Sequence, residues 1–498
     1  MNIRVYVSAT LKNYLGKNSE IVIDAKSVGK ALEALRDEYP ESAEILFDEK
    51  GELRPFINVY KNSENVTHNL IAGVKDGDEI TLIPSIAGGS GKKDGDTSEA
   101  GSRGRNSVIS DARQKEVDFD DAEIDRYGRH LLLKEIGVKG QKRIKAASVL
   151  VIGLGALGSP VVQYLAAAGV GHIGIADFDT VNITNLQSQV IHGTRDLKRP
   201  KTASAKDTVR AINPKIEVTV LNEEITPENV LDTIDEYDVV VDCTDNYKAR
   251  YLINDACVTL NKPDVYGAIY QYEGQVSVFG TADSGCLRCL YPAPPPTGLI
   301  PTCSEGGTLS PLAGIVGSIQ AAETLKLLIG GASTLEGKLL HLDIWNIRGD
   351  IFDIRKRTDC QVCGDNAHML DVREYDYDEL CGISESEEEI PVESIEAEVL
   401  IDRIEKGDDI TIIDVREPHE RAIRRFPNAI VIPIGQLARR KKELDPTKDT
   451  IFVCREGKRS ILAINTLREA GYDGPMYNLK GGIEATKHII FSNEGAWL

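Results

Sequence analysis

Apolar residues near the start of the chain follow two periods, which predict a small sheet crossed by one helix. The segments "IRVYV", "RPFINVY" and "DEITLIP" have the alternating or β-branched pattern of strands. Val28, Ala31, Leu32 and Leu35 recur at near-helical spacing. The order strand, strand, helix, strand, strand predicts an α+β domain over residues 1–89.

Two polar stretches predict linkers. Residues 90–116 are rich in Gly, Ser and charge and nearly lack large apolar side chains, and residues 381–391 form an acidic break. They separate the first domain from a middle domain over residues 117–380 and a last domain over residues 392–498.

The middle domain begins with a strand, a glycine turn, a helix and a second strand, in "ASVLVIGLGALGSPVVQYLAAAGVGHIGIADFD". Gly153, Gly155 and Gly158 have the G-x-G-x-x-G spacing that lets backbone N–H groups approach phosphates. Asp177 ends the next strand, where a carboxylate binds ribose hydroxyls. The pattern predicts an α/β nucleotide site of the Rossmann type, and taken alone it favours NAD.

Charged residues around this pattern shift the prediction to ATP. "DVVVDCTDNYKAR" places Asp242 and Asp245 after a buried strand, at the sheet edge where open α/β sheets bind ligands. Arg129 lies in "RYGRHLLLKEIG" and Lys201 in "KRPK". Carboxylates for Mg²⁺ and cations for a triphosphate suit ATP, whereas a dehydrogenase needs neither.

Two C-x-x-C pairs predict a structural zinc site. Cys286 and Cys289 form one pair, and Cys360 and Cys363 form the other. Four thiolates give the tetrahedral site of a structural Zn²⁺ and leave no position open for water.

Three more cysteines lie between the ends of this domain. Cys303 is in a Pro- and Gly-rich segment, "PAPPPTGLIPTCSEGGTLSP", which predicts a loop long enough to cross the site. Cys243 and Cys257 lie in apolar surroundings typical of a core.

The last domain contains a sulfur-handling loop. In "DTIFVCREGKRSILAINTLREAGY", Cys454 follows a strand, and a polar, glycine-bearing turn leads to a helix. Loop N–H groups, the helix N-terminus and Arg459 would lower the thiolate pKa of Cys454 and stabilise a persulfide.

Composition limits the class of protein. The 498 residues are 41% hydrophobic and 27% charged, and no run of about 18 apolar residues predicts a membrane span. The net charge of −20 argues against nucleic-acid binding. Nine cysteines without a secretory signal indicate reduced thiols and a cytoplasmic location.

On these motifs each domain resembles a known family. Residues 1–89 resemble the β-grasp sulfur carriers of the ThiS/MoaD type, chiefly because Gly88 and Gly89 follow the last strand. The middle domain resembles the ThiF/MoeB branch of the ubiquitin-activating-enzyme family, through "RYGRHLLLKEIG", "GLGALG", "DFDTVNITNLQ", "DCTDN", both C-x-x-C pairs, "PTCSEGG" and "GSIQAAETLK". Residues 392–498 resemble a single α/β rhodanese domain, whose six-residue loop suits sulfur transfer rather than phosphatase chemistry.

The ThiF/MoeB resemblance implies adenylation of a carrier's terminal glycine with Mg-ATP in a homodimer. It implies that Asp177 binds ribose, that Asn185 and Lys201 contact phosphates, and that Asp245 holds Mg²⁺. It further implies that Arg129 reaches the phosphates of the neighbouring subunit and that a cysteine at the Cys303 position forms covalent intermediates with the carrier.

The chain departs from the family patterns in two segments. "NLQSQ" has Ser188 where the ThiF/MoeB family has an ATP-contacting Arg, and a hydroxyl cannot replace a guanidinium. Arg195 and Arg199 are candidates to compensate. In the rhodanese domain, Ala485 and Thr486 replace the usual Trp after the closing "GG".

The three resemblances together predict an enzyme that converts a carrier's Gly-Gly terminus into a thiocarboxylate, for molybdopterin, thiamine, tRNA thiolation or cysteine synthesis. The carrier is a separate protein or residues 1–89, the latter after a separate protease hydrolyses the Gly89–Ser90 bond. A persulfide donor such as a cysteine desulfurase would load Cys454. The alternatives are a non-catalytic or weakly catalytic carrier-binding hub, suggested by Ser188, and an NAD-dependent oxidoreductase.

Overall fold

The chain forms two compact units, Met1–Ile383 and Ser384–Leu498. The computed structural model describes residues 2–8, 11, 15, 20–40, 42–48, 51–54, 56–62, 64–67, 69–84, 108–281, 284–295, 307–331, 335–365, 370–381, 392–416, 420–421, 425–426 and 428–486. Gly88, Gly89 and Cys303 therefore lie outside the described residues.

The first unit begins with the predicted α+β fold. A five-stranded sheet has the order β2-β1-β5-β3-β4, with β1 and β5 parallel and the other pairs antiparallel. Its strands are β1 (Asn2–Val7), β2 (Glu20–Asp24), β3 (Ile57–Lys61), β4 (Glu64–Asn65) and β5 (Glu79–Pro84).

One long helix, Val28–Glu38, packs on this sheet, and Ser27 caps its start with a hydroxyl that accepts the Lys30 N–H. Its buried residues are the four that the helical period predicts: Val28, Ala31, Leu32 and Leu35. The domain has its own hydrophobic core, built only from residues between Ile3 and Leu82.

The rest of the first unit is built on an eight-stranded sheet of order β13-β12-β11-β10-β9-β6-β7-β8. The strands from β6 to β10 pair in parallel, and β10 to β13 pair antiparallel. They are β6 (Ser148–Ile152), β7 (His172–Ala176), β8 (Glu217–Leu221), β9 (Val239–Asp242), β10 (Asp264–Tyr270), β11 (Glu273–Phe279), β12 (Lys338–Asp343) and β13 (Arg348–Asp353).

Helices cover both faces of this sheet, because its central strands are apolar on both sides. The described helices of this part are Asp111–Lys115, Asp121–Leu131, Gly137–Lys145, Gly158–Ala168, Lys201–Ile212, Val230–Asp235, Tyr247–Thr259, Leu287–Leu290, Ser310–Ile329 and Tyr377–Leu380.

Among the described residues, the helix Ser310–Ile329 is long and apolar enough to cross a membrane by length and composition. It is a core helix: Leu312, Ala313, Val316 and Leu328 belong to the main hydrophobic cluster of the sheet. Its apolar character is therefore explained by its position inside the fold.

The second unit has a five-stranded sheet of order β14-β18-β17-β15-β16, with all pairs parallel. Its strands are β14 (Ser394–Ile395), β15 (Ile410–Asp414), β16 (Ile430–Val431), β17 (Asp449–Val453) and β18 (Met476–Leu479), and its helices are Ala397–Lys406, Leu437–Arg440, Lys458–Glu469 and Gly482–Ala485.

Candidate active sites and metal centre

The glycine turn is packed too tightly for side chains at two of its three glycines. Gly153 has φ +93°, and a Cβ there would lie 2.7 Å from the carbonyl oxygen of Cys243. A Cβ on Gly158 would lie 2.0 Å from the carbonyl oxygen of Gly153. At Gly155 the nearest atom would be Gln189 Nε2 at 3.7 Å, so this glycine leaves a face open to a ligand.

Asp177 and Lys201 lie beside this turn. One carboxylate oxygen of Asp177 accepts the Leu154 N–H at 2.8 Å, and the other accepts the Asp179 N–H at 2.8 Å. Lys201 Nζ lies 3.6 Å from Asp177 Oδ2 and donates to Asp179 Oδ2 at 2.7 Å. Each carboxylate oxygen of Asp177 keeps a lone pair for a further donor such as a ribose hydroxyl.

Asn185 ends a short 3₁₀ turn, Ile183–Asn185, on the segment that follows β7. Its side-chain oxygen accepts the Asn182 N–H at 2.8 Å, and its carbonyl oxygen accepts the N–H of Ser188. The amide nitrogen of the Asn185 side chain is the group left to meet a phosphate.

The two arginines proposed to compensate for Ser188 differ in the structure. Arg199 is held by Asp196 and by Asp207, the latter at 2.7 Å, and these hydrogen bonds raise its pKa. Arg195 is 83% exposed, and its Nε lies 3.9 Å from Asp196. Arg195 is thus the more available cation, although no described contact directs it to the glycine turn.

Asp242 and Asp245 follow β9 at the same edge of the sheet. Asp242 is buried, its Oδ1 accepts both the N–H and the hydroxyl of Thr244, and its Oδ2 has no hydrogen-bond partner among the described residues. Burial raises the pKa of Asp242. Asp245 is exposed and is therefore the acid that a metal ion in solution can reach.

Sequence reasoning missed a buried histidine that supports the glycine turn. His192 Nε2 donates to the Leu154 carbonyl oxygen at 3.1 Å, and Nδ1 accepts from the Ser204 hydroxyl at 2.9 Å. Burial lowers the pKa of His192, which keeps the ring neutral. No motif spacing marks this residue.

A second missed contact joins two segments that border the site. The Ser310 hydroxyl donates to Gln187 Oε1 at 2.6 Å, so the start of a core helix is fixed to the segment that contains Ser188. Ser310 also follows the undescribed segment with Cys303. In the sequence, Gln187 and Ser310 are two polar residues far apart along the chain, and no pattern links them.

Arg129 lies away from the glycine turn of its own chain. It is exposed on the helix Asp121–Leu131. That helix touches the far end of the glycine-turn helix, where the Tyr127 ring covers Gly169 and its hydroxyl accepts from Asn213 at 2.9 Å. The glycine-turn helix has 11 residues, about 16 Å, which separate Gly169 from the turn.

The four predicted zinc ligands form one cluster. The sulfur atoms of Cys286, Cys289, Cys360 and Cys363 all lie within 4.8 Å of one another, and three of these residues are buried. The Sγ atoms of Cys286 and Cys360 are 3.6 Å apart, and those of Cys289 and Cys363 are 3.3 Å apart. This set of soft donors can bind one tetrahedral metal ion such as Zn²⁺.

A buried network holds the first pair of cysteines in place. Arg288, between Cys286 and Cys289, forms an ion pair with Asp255 at 2.7 Å. Asn254 accepts the Leu287 N–H at 2.7 Å, and the Tyr377 hydroxyl donates to Asp255 at 3.0 Å.

Two further cysteines of the sheet domain behave as core residues. Cys243 and Cys257 are buried, and burial raises the thiol pKa of both well above its usual value. This matches the sequence interpretation.

In the second unit, Cys454 follows β17 and is buried at the base of a tight loop. Its sulfur accepts the Gly457 N–H at 3.1 Å, and Gly457, with φ +96°, precedes the helix Lys458–Glu469. Gly482 closes the loop from the other side, since a Cβ there would lie 2.4 Å from the Arg455 carbonyl oxygen. One backbone N–H and the start of a helix thus lie at the thiol among the described residues, and the thiolate role of Cys454 stays a prediction.

Arg459 forms a bidentate ion pair with Glu420, at 2.8 and 2.7 Å, and both side chains are mostly buried. The predicted role of Arg459 is contact with the sulfur, whereas its described hydrogen bonds fix the loop to "REPHERA". Glu420 was missed because a lone acid in a polar turn gives no distinct pattern.

Comparison with known proteins assigns all three parts of the chain. Residues 5–89 match the ThiS family, residues 127–362 the ThiF family, and residues 396–488 the Rhodanese-like domain. The chain is 40% identical over 371 residues to the probable adenylyltransferase/sulfurtransferase MoeZ of Mycobacterium tuberculosis, which covers 73% of this chain and 92% of that protein. The chain belongs to the ThiF family.

Two further relatives match this chain over most of their own length. The adenylyltransferase and sulfurtransferase MOCS3 of Culex quinquefasciatus is 37% identical over 383 residues, covering 73% of this chain and 87% of that protein. The sulfur carrier protein adenylyltransferase of Thermus thermophilus is 44% identical over 266 residues, covering 52% of this chain and 97% of that protein.

A solved structure is also similar: E. coli MccB with ATP covers 48% of this chain and 75% of its own, with 22% identity and a TM-score of 0.44.

This ThiF-family chain is an enzyme, an adenylyltransferase joined to a sulfurtransferase domain. Its own ThiS-family domain makes a ubiquitin-like sulfur carrier its protein partner. The resemblances found in the motifs are confirmed for all three parts.

Proposed function

We propose that this enzyme uses Mg-ATP to activate the terminal Gly-Gly carboxylate of a sulfur carrier and then replaces one carboxylate oxygen with sulfur. The observation that carries the proposal is the convergence, at one sheet edge, of the open face at Gly155 with Asp177, Lys201 and the exposed Asp245. A dinucleotide oxidoreductase would not need the last two residues.

In the activation step, a carboxylate oxygen of the carrier attacks the α-phosphorus of ATP, and the bond to pyrophosphate breaks. Asp177 would hold the ribose, Asn185 and Lys201 the phosphates, and Asp245 the Mg²⁺ ion. Lys201 offsets the charge that develops on the departing pyrophosphate. Ser188 supplies no positive charge to the phosphates, so we expect a slower reaction than in a protein with Arg at that position.

A homodimer completes this site. The helix that carries Arg129 contacts the end of the glycine-turn helix that is about 16 Å from the turn, which favours a role for Arg129 in another copy's site. In a dimer it would contact the triphosphate bound by the second copy. Leu132 and Leu133 directly follow the helix that carries Arg129, and their side chains are exposed. Burial in such a dimer contact would remove these apolar side chains from water.

In the sulfur step, a persulfide donor such as a cysteine desulfurase transfers sulfane sulfur to Cys454. The terminal sulfur of the Cys454 persulfide attacks the acyl carbon, AMP leaves, and an acyl disulfide forms. The Cys303 thiolate then attacks the Cys454 sulfur, which releases the carrier thiocarboxylate and leaves a Cys303–Cys454 disulfide. A cellular dithiol reduces that disulfide.

The four-cysteine cluster would hold a structural Zn²⁺ ion, because all four ligands are thiols and two are fixed by the Arg288–Asp255 network. We place the enzyme in the cytoplasm, where its thiols stay reduced. For the tethered carrier, a separate protease would hydrolyse the Gly89–Ser90 bond to create the carboxylate.

The decisive experiment measures ATP–pyrophosphate exchange with residues 1–89 added as a separate carrier ending at Gly89. Carrier-dependent exchange, followed by the mass gain of one oxygen-for-sulfur replacement when a sulfide source is added, is expected. Tight carrier binding without exchange would instead identify a carrier-binding hub, which is the alternative that Ser188 favours.

A further inference from the structure

Strand β3 and the end of β5 are buried on both faces of the carrier sheet, which a free-standing domain of this fold does not need. In β3, Ile57 and Val59 point into the carrier's own core. The alternate residues Asn58 and Tyr60 point the other way, yet both are also buried. In β5, Ile83 is likewise buried without belonging to the carrier's core.

The second face packs on the antiparallel part of the eight-stranded sheet, from β10 to β13. Tyr60 and Ile83 share one buried cluster with Tyr266 and Tyr270 of β10, Leu290 beside the metal cluster, and Phe352 of β13. The ring centroids of Tyr60 and Phe352 are 4.2 Å apart.

Polar contacts surround this aromatic centre. The Asn58 side-chain amide donates to the Leu290 carbonyl oxygen at 3.4 Å. Arg348 lies over the Tyr6 ring at 4.0 Å and 3.5 Å from Glu79, and Arg355 lies 3.7 Å from Glu64. The carrier thus presents acids where the adenylation domain presents arginines, an arrangement with an apolar centre and a charged rim.

We propose that the tethered carrier domain occupies the carrier seat of its own adenylation domain and thereby excludes separate carriers until it is displaced. The carrier seat is the surface formed by Tyr266, Tyr270, Leu290, Arg348, Phe352 and Arg355. The inference rests on the proposed function in one respect: the excluded ligand is another sulfur carrier of the same fold and the same acidic rim.

The tether makes this exclusion strong. A domain tethered to the chain that carries its binding site has an effective concentration there on the order of 1 mM. If the tethered and the separate carrier each bind the seat with a dissociation constant of about 10 µM, the tethered domain occupies the seat almost completely. Competition from it then weakens the apparent binding of the separate carrier about 100-fold. Cutting the linker removes this advantage, since both carriers then compete at their bulk concentrations.

The test measures binding of a fluorescently labelled copy of residues 1–89 to the full chain by anisotropy, without ATP. The labelled copy is a valid probe because the domain has its own complete core. In the full chain, Tyr60→Ala removes the central ring from the tethered domain only and leaves the carrier seat intact. We expect the labelled carrier to bind this variant at least 10-fold more tightly than the wild-type chain.

Ile71→Ala is the matched control, because Ile71 is on the same domain, 90% exposed and absent from the seat contacts. It should leave binding unchanged. A third variant, Tyr60→Ala combined with Arg348→Glu, should lose the gain, which assigns the new binding to the seat.

Equal binding of the labelled carrier to the wild-type and Tyr60→Ala chains would overturn the inference, whether that binding is tight or absent. ATP–pyrophosphate exchange is recorded separately. A chain that shows the Tyr60→Ala gain in binding but no exchange keeps the inference and refutes the catalytic proposal. A chain that shows normal ATP–pyrophosphate exchange but no gain in carrier binding on Tyr60→Ala refutes the inference and keeps the catalytic proposal.

Discussion

Replacing Gly158 by Ala tests the packing of the nucleotide turn. The new methyl group would lie 2.0 Å from the Gly153 carbonyl oxygen, and real Cβ atoms essentially never approach closer than 3.0 Å. The carbonyl, which is part of the backbone, must therefore move by about 1 Å. Such overpacking costs about 1–3 kcal/mol, whereas Ala in place of Gly in a helix stabilises it by only about 0.5–1 kcal/mol.

We therefore expect a net loss of stability in the adenylation domain. One kcal/mol shifts the unfolding midpoint by about 2–4 °C in a domain of this size, so the Gly158→Ala midpoint should fall by several degrees. ATP binding should fall as well, because the displaced carbonyl belongs to the turn that receives the phosphates. Differential scanning calorimetry with and without Mg-ATP measures both effects.

Gly155→Ala is the matched control. Its methyl group would meet no atom closer than 3.7 Å, an ordinary contact, so the unfolding midpoint without nucleotide should stay within about 2 °C of the wild type. The same methyl group occupies the open face, so the stabilisation by Mg-ATP should shrink. If Gly158→Ala unfolds at the wild-type temperature, or if Gly155→Ala keeps the full response to Mg-ATP, the assignment of the two glycines is wrong.

Four further outcomes are expected. Cys363→Ser should lower the zinc content measured by mass spectrometry from one ion per chain and lower the unfolding midpoint; unchanged metal content would contradict the cluster. Burial lowers the pKa of His192 below its usual 6.5, so at mildly acidic pH the unfolded state binds more protons than the folded state. The free energy of unfolding should therefore decrease as the pH falls below 6.5. His192→Gln should flatten that dependence in pH-resolved calorimetry; the same slope in both chains would refute it. Cys454→Ser should abolish the persulfide seen by intact-mass analysis after treatment with a sulfur donor, and a persulfide retained at wild-type level would move the sulfur site elsewhere. Mixing Arg129→Ala with Lys201→Ala chains should restore part of the pyrophosphate exchange that each lacks alone, and no recovery would exclude a site shared between copies.

Local periodicity and motif spacing predicted the elements whose signal lies within a short segment. The glycine turn before Gly158, the alternation in β1 and the two C-x-x-C pairs each follow from the backbone geometry of a few neighbouring residues. The first carrier helix was predicted with its buried face because four apolar residues repeat at the helical period.

Contacts between residues distant in sequence could not be predicted in this way. Arg288 and Glu420 look like ordinary surface charges in the sequence. Arg288, however, forms a buried ion pair with Asp255, 33 positions away. Glu420 forms a mostly buried ion pair with Arg459, 39 positions away. Tyr60 gave the same difficulty, since alternation predicts one exposed face for β3 and only a second domain explains why both are buried. Asp242 and Asp245 could be separated only when the structure showed which carboxylate reaches solvent.

The short helix Leu287–Leu290 belongs to two features at once. Its Cys289, with Cys286 just before it, lies in the four-thiol cluster, while Leu287 and Leu290 support the carrier domain. Oxidation would convert thiols of this kind to disulfides, which cannot bind a metal ion as thiolates do. Because Cys289 lies on the same short helix as Leu287 and Leu290, a change of geometry at the sulfur atoms would also move the apolar side chains that contact the carrier domain. The four-thiol cluster and the support of the carrier domain are therefore joined through one turn of helix.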